Sequence, residues 1–401
     1  MSVAVKHPSS ARGGPARPRR AAFASGFRQR NPLVLVAAVL LAGLALLLAQ
    51  QVIVRGGFTA VSEGRLLRIT NDDYVHLAYR IAALKKHPPV GPTMYLFGGS
   101  GAMESIVSER SLARQLQRDG AGAVNVVSLA AHRESLAATL ALVDNLPPGQ
   151  VALAIGLTPM RFTTSPSEDA GLLQGKPIVL RSARLSELGP RLYGKDSRFW
   201  GVLPGMFDYA GAYLRERAKA PFWGVRIPYA HHYWRKGEAG ALPLAKRRNV
   251  LTVLAQDRRL YAENADYDFE VLREVLRLAG ERGFAVVLWD QPLNGSAAGP
   301  DWAGVVPAYR ARAEALAREA GVPYVHPGDS AGLVDADFAD LFHLLESGRL
   351  KWQPAFSRDV TRTLGTLGGS SAAVPVGMEL PAPSPAGPAG ATARAAETLA
   401  P

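Results

Sequence analysis

The chain has no cysteine among its 401 residues. That excludes a disulfide framework, a thiolate nucleophile and any cysteine-ligated metal centre, so stability has to come from core packing. Acidic residues are missing from the first thirty positions, where Lys6, Arg12, Arg17, Arg19, Arg20, Arg28 and Arg30 supply seven of the charges behind a net +12. With those set apart the chain is only mildly basic, and a nucleic-acid partner is not expected. Metal-ligand spacing is missing too: there is no His-x-x-x-His pair, and the adjacent His231 and His232 point apart in either a strand or a helix. A dinucleotide fingerprint is excluded because Glu104 stands where the third glycine would follow Gly99 and Gly101, and would repel a pyrophosphate. The sequence implies no metal and no cofactor, and it contains no internal repeat.

Charge of either sign is absent from Asn31 to Val54, with a solid apolar stretch from Leu33 to Ala49 inside that segment. In a helix this segment spans about one bilayer core of ~30 Å. Positive charge before it favours a cytoplasmic N-terminus, so the chain beyond Arg55 is expected outside the cytoplasm, anchored to the cell membrane by a single pass. A cleaved signal peptide is the rival, but the apolar region is long for one and no convincing small-x-small site follows it. From Gly368 to Pro401 the chain is rich in Ala, Pro, Gly and Ser without apolar periodicity, and reads as a disordered tail.

Between these ends, strand-like and helix-like segments alternate. Met94 to Phe97, Ala123 to Leu129, Val151 to Leu157, Phe284 to Trp289 and Tyr324 to His326 read as buried strands. Helical spacing marks Ala102 to Arg118, a run on Leu136, Leu140 and Val143, another on Phe269, Leu272, Leu276 and Ala279, and a fourth from Tyr309 to Ala320. This alternation predicts an α/β protein with a mainly parallel sheet covered on both faces, its ligand site at the carboxyl ends of the strands. The series is interrupted at 159–264 by an unusually aromatic insertion that includes Tyr193, Phe199, Trp200, Trp223 and Trp234. Those rings line a glycan groove, rest on lipid headgroups or pack the core of a helical subdomain.

Ser100, in "MYLFGGSGAME", follows the first strand directly. A serine hydroxyl is a poor nucleophile without a base to take its proton and donors to stabilise the oxyanion, so the residue alone proves nothing; a plain glycine turn is equally compatible with it. In "DFADLFHLLESGR", however, Asp340 and His343 stand three apart, a spacing that lets a carboxylate hold the imidazole by Nδ1 and leave Nε2 free toward a serine. An α/β-hydrolase elbow fits less well, since that fold places its serine after several strands and separates acid from histidine. Glu104 suits a helix N-terminus electrostatically and needs no chemical role. His132 is expected to cap a helix or face solvent.

A glycine-flanked serine after the first strand, with Asp-x-x-His near the end of the same domain, resembles the SGNH or GDSL hydrolase superfamily. "FGGS" stands where that family has Gly-Asp-Ser, and "DLFHLLESG" is similar to its closing block. The resemblance implies a flavodoxin-like three-layer α/β/α fold, with Ser100 as nucleophile, His343 as general base and then acid, and Asp340 as the residue that orients it. It further implies an oxyanion hole at Ala130, in "VVSLAAHRES", where the family has glycine, and at Thr158, in "AIGLTPMRF", where it has asparagine. Membrane-anchored relatives include the D-alanyl transfer protein of teichoic acid and the alginate acetyltransferases. The implied function is therefore an extracytoplasmic esterase or O-acyltransferase acting on cell-envelope polysaccharide, with a cell-surface glycan, an acyl donor and a membrane acyltransferase as partners. The departures at Ala130 and Thr158 motivate an alternative, an inactive scaffold that binds glycan or an export complex. The resulting organisation is a basic leader (1–30), a transmembrane anchor (31–54), a membrane-proximal segment (55–92), an SGNH-like domain (93–158 and 265–352), the insertion (159–264) and the tail (368–401).

Overall fold

The computed structural model describes residues 32–54, 56–60, 62, 73–169, 180, 182–185, 187–188, 244–295, 302 and 304–365. The basic leader, the tail and most of the aromatic insertion, with His231 and His232, lie outside the described residues. In chain order the main elements are α1 (Pro32–Val54), α2 (Asp73–Lys86), β1 (Thr93–Phe97), α3 (Ser100–Met103), α4 (Glu109–Arg118), β2 (Asn125–Ser128), α5 (Leu136–Asp144) and β3 (Val151–Leu157). After a 3-10 turn at Pro159–Phe162 come α6 (Leu244–Glu281), β4 (Ala285–Asp290), α7 (Val305–Glu319), β5 (Tyr324–Val325), α8 (Pro327–Ala331) and α9 (Glu346–Leu364).

The five strands form one sheet in the order β2-β1-β3-β4-β5, every pair parallel. Parallel strands need helical crossovers, and those helices bury both faces of the sheet. Successive side chains therefore enter opposite cores. Tyr95, Phe97, Leu153, Ile155, Leu157, Val286 and Leu288 pack with α2, α5, α6 and α7, whereas Met94, Leu96, Ala152, Ala154, Val287 and Trp289 pack with α3, α4 and α9. Small residues on the second face have a reason. A Cβ at Gly156 would stand 2.7 Å from the Trp289 ring, which itself meets Trp352 and Phe356 of α9 at centroid distances of 6.0 and 4.9 Å.

Several expectations change in detail. The helix expected from Ala102 to Arg118 is two helices, because Ser105 turns its hydroxyl onto the Ala102 carbonyl and Ser108 starts a new helix by capping the Ser111 N–H. Glu104 consequently sits at the C-terminal end of α3 and is fully buried, not at a helix N-terminus. The segment 55–92 is not merely membrane-proximal: Tyr74, Val75, Leu77, Ala78 and Ile81 of α2 belong to the first core. Helix α6 runs unbroken through the boundary placed at 264/265, and α9 carries the domain past residue 352 to Leu364.

Helix α1 has 23 residues and no charged side chain. Leu33, Val34, Leu35 and Val36, which together face every direction around it, are each more than half exposed, at 71, 60, 53 and 53%. Within the stretch whose side chains are described, no helix is long and apolar enough to cross a membrane.

Candidate active site

The site begins where β1 stops. Gly98 has φ +147°, and a Cβ there would lie 2.5 Å from the Ala102 Cβ and 2.9 Å from Gln291 Nε2, so only glycine lets the strand turn this sharply. Ser100 follows, half-buried, as the first residue of α3. A Cβ on Gly101 would meet Gln291 Oε1 at 2.8 Å and the Phe342 carbonyl at 3.4 Å. These glycines thus allow a side chain from the end of β4 and the histidine loop to press against the serine backbone from either side.

The histidine loop lies between a 3-10 turn at Asp335–Asp337 and α9. Asp340 Oδ1 accepts the backbone N–H groups of Phe342 and His343 at 3.1 and 3.0 Å, a local turn that swings the imidazole back over its own carboxylate. His343 Nδ1 then lies 2.8 and 2.6 Å from the two Asp340 oxygens, and His343 Nε2 lies 2.8 Å from Ser100 Oγ. With Nδ1–H donating to the carboxylate, Nε2 is left to accept the serine proton. Burial raises the cost of the Asp340 charge, but the bonds from the His343 ring and the two backbone N–H groups outweigh it and leave the carboxyl below its ordinary range. Packing holds the loop in place: Ala339 N–H donates to the His343 carbonyl at 2.8 Å, and a Cβ at Gly348 would stand 2.5 Å from the Asp337 carbonyl. The glycine after the histidine is there so that α9 can close on the loop.

Ala130 and Thr158 emerge beside Ser100 because β1 lies between β2 and β3, with Leu96 in register with Ser128 and Phe97 with Ile155. Leu129 and Ala131 donate their N–H groups to the Leu96 and Gly98 carbonyls at 2.7 and 3.0 Å, which ties the Ala130 turn to the Ser100 turn. Neither Ala130 nor Thr158 hydrogen-bonds Ser100 among the described residues. Thr158 precedes the Pro159–Phe162 turn, yet its hydroxyl does not cap that turn and is buried without a hydrogen-bond partner. A buried hydroxyl left unpaired costs about 1–3 kcal/mol, and such groups call for an explanation such as a ligand-binding role.

Three further residues bear on the site and were not singled out from the sequence. Gln291, immediately after β4, donates from Nε2 to the Gly156 carbonyl at 2.9 Å and fills the space that Gly98, Gly101 and Gly156 leave open. A polar residue at the carboxyl end of an apolar strand was its signal. Glu134 and Arg161, within the stretches that carry Ala130 and Thr158, form a fully buried ion pair at 3.4 Å. Burial pushes the Glu134 carboxyl up to about 7 against the pull of Arg161, Thr139 and the Gly98 and Ala131 N–H groups. His132 is exposed, with its backbone N–H donated to Asp73. Among the described residues no group of acidic or histidine side chains could hold a metal ion.

No protein-family model matches the chain, and no curated protein matches it.

Proposed function

We propose that the chain is a serine esterase or O-acyltransferase of the SGNH type that works through an acyl-serine intermediate. The observation that carries this reading is the continuous relay from Asp340 through both nitrogens of His343 to Ser100 Oγ. His343 Nε2 takes the hydroxyl proton while Oγ bonds to the ester carbonyl carbon. The tetrahedral oxyanion would be met by the Ala130 N–H and the Thr158 hydroxyl. Collapse breaks the bond to the leaving alcohol, which takes the proton from Nε2 and leaves Ser100 acylated. A second hydroxyl then gives its proton to Nε2 and attacks the acyl carbon, and the bond to Ser100 breaks as Oγ takes that proton back from Nε2: water yields a carboxylic acid, a sugar hydroxyl yields a new ester.

The reading extends to place and substrate. Between Leu33 and Leu48 the large apolar side chains described on helix α1 are all exposed, a state that water disfavours and a bilayer core accommodates, which supports a single-pass anchor behind the basic leader. An anchored domain with a serine relay suits O-acyl chemistry on a cell-envelope polysaccharide, with a membrane acyltransferase as the source of acyl groups. Labelling of the purified full chain by a fluorophosphonate, beside Ser100→Ala, is the direct test. Labelling that requires Ser100 is expected; its absence, with glycan binding retained in the variant, would replace the enzyme by a glycan-binding scaffold. Release of acetate from acetylated glycans, with and without an acceptor sugar, separates hydrolysis from transfer.

A further inference from the structure

The proton relay does not use the buried pair Glu134–Arg161, although its bonds go to the backbone that carries the relay. Glu134 Oε2 accepts the Gly98 N–H at 3.2 Å, two residues before Ser100. Arg161 Nη1 donates to the Gly156 carbonyl at 2.7 Å, two residues before Thr158, and the Arg161 backbone N–H donates to the Thr158 carbonyl at 2.9 Å. The remaining donors return to the second strand's turn: Nε to the Glu134 carbonyl at 3.3 Å and Nη2 to Thr139 Oγ1 at 2.7 Å, with the Thr139 hydroxyl in turn on Glu134 Oε1. Glu134 N–H donates to the Ala131 carbonyl, and Ala131 N–H to the Gly98 carbonyl. One ion pair thereby joins the turns after β1, β2 and β3.

Stability alone is a poor reason for such a pair, since well-packed apolar residues usually serve a core at least as well as buried charges. What the pair supplies and apolar side chains do not is direction: fixed donors and acceptors aimed at particular carbonyls and N–H groups. The location matters as much, because the glycine it grips has the sharpest backbone turn beside the serine.

We propose that Glu134 and Arg161 are positioning residues of the acyl-transfer centre, holding the Ser100 and Thr158 turns at one separation so that nucleophile and oxyanion donor keep a fixed geometry as charge develops. The proposal rests on the reading of Ser100 as a nucleophile. A pair of this kind acts on kcat, because the geometry it sets matters most in the transition state, and leaves substrate binding nearly untouched.

The test uses the full chain in detergent, with hydrolysis of p-nitrophenyl acetate, the rate of fluorophosphonate labelling and thermal melting measured on Glu134→Gln, Arg161→Lys and the double variant Glu134→Gln/Arg161→Met. Lysine keeps the charge but not the planar fork that reaches Gly156 and Thr139 together. Arg161→Lys and Glu134→Gln are each expected to lower kcat by about tenfold to a hundredfold with KM changed by less than about twofold, and to slow labelling in the same proportion. The double variant, free of an unpaired buried charge, is expected to melt no lower than Glu134→Gln and still to be slow. Variants that melt lower but keep the parent kcat well below their melting temperatures would overturn the proposal and leave Ser100 its role. A parent chain that neither hydrolyses the ester nor takes the label would remove the serine reading, and this proposal with it.

Discussion

Among the described residues two Asp–His pairs stand at strand or loop ends, and they differ in what surrounds them. Asp340 and His343 share one short loop, and the far nitrogen of the imidazole meets a serine hydroxyl. Asp290 and His326 come from the ends of β4 and β5, and Nδ1 again meets the carboxylate, at 2.9 Å. Asp290, however, also accepts the hydroxyls of Tyr309 and Tyr324 and forms an ion pair with the Arg310 guanidinium, and His326 Nε2 faces Glu314 at 3.5 Å. The second carboxylate is saturated by structural donors and its histidine has a carboxylate where the first has a serine hydroxyl. An Asp–His pair is therefore chemically uncommitted; its third partner decides what it does.

The largest expected effect tests that distinction directly. His343→Ala should lower kcat for ester hydrolysis by roughly ten-thousandfold or more, whereas His326→Ala should leave it within about threefold. Equal losses in steady-state assays of the two variants would erase the contrast. Next, Asp340→Asn should cost about a thousandfold to ten-thousandfold in kcat through the wrong imidazole tautomer. Asp290→Asn should instead lower unfolding stability by about 1–3 kcal/mol, since it weakens a buried acceptor shared by three donors and removes the charge that pairs with Arg310, a difference readable by pairing kinetics with denaturant titration.

Thr158→Val sharpens the comparison further. If its unpaired hydroxyl meets the oxyanion, kcat should fall by about tenfold to a hundredfold. Stability should hold or rise by up to about 1 kcal/mol, because an unsatisfied buried group is removed. A variant both slower and less stable would contradict this.

A pH slope in stability separates the two regions in another way. Burial, with the Asp169 carboxyl nearby, pushes Asp268 up to about 9, so between its ordinary value of 3.8 and that point the folded chain keeps a proton that the unfolded chain releases. Stability contributed by this group is present at low pH and declines as pH rises across that window. His326, raised chiefly by its bond to Asp290, adds a loss of the same sign above its ordinary 6.5. Melting temperatures measured across this range should fall with rising pH, less steeply in Asp268→Asn, and a variant with the parent slope would assign the effect elsewhere.

Much of the strand series was legible, since continuous apolar runs ended by glycine or proline admit few readings; β3 occupies the whole of Val151 to Leu157. The break after Met103 was not. It depends on serine hydroxyls choosing backbone partners, a local competition that apolar spacing does not register. Within the candidate site, Ser100, Asp340 and His343 stood out by residue type and spacing, while Gln291, Glu134 and Arg161 did not. Their bonds span separations such as the 135 residues between Gln291 and Gly156, and no short motif encodes a contact of that length.

By itself the sequence determined the uncharged N-terminal segment, the strand and helix alternation, and the glycines that leave the Ser100 turn room to form, because each follows from local sterics and solvation. Only the tertiary structure decided which of two Asp–His pairs reaches a serine and which charged residues support the turns around it. Those outcomes depend on the parallel strand order and on helix α9 closing over the histidine loop, which bring together groups that chain spacing alone leaves 243 residues apart.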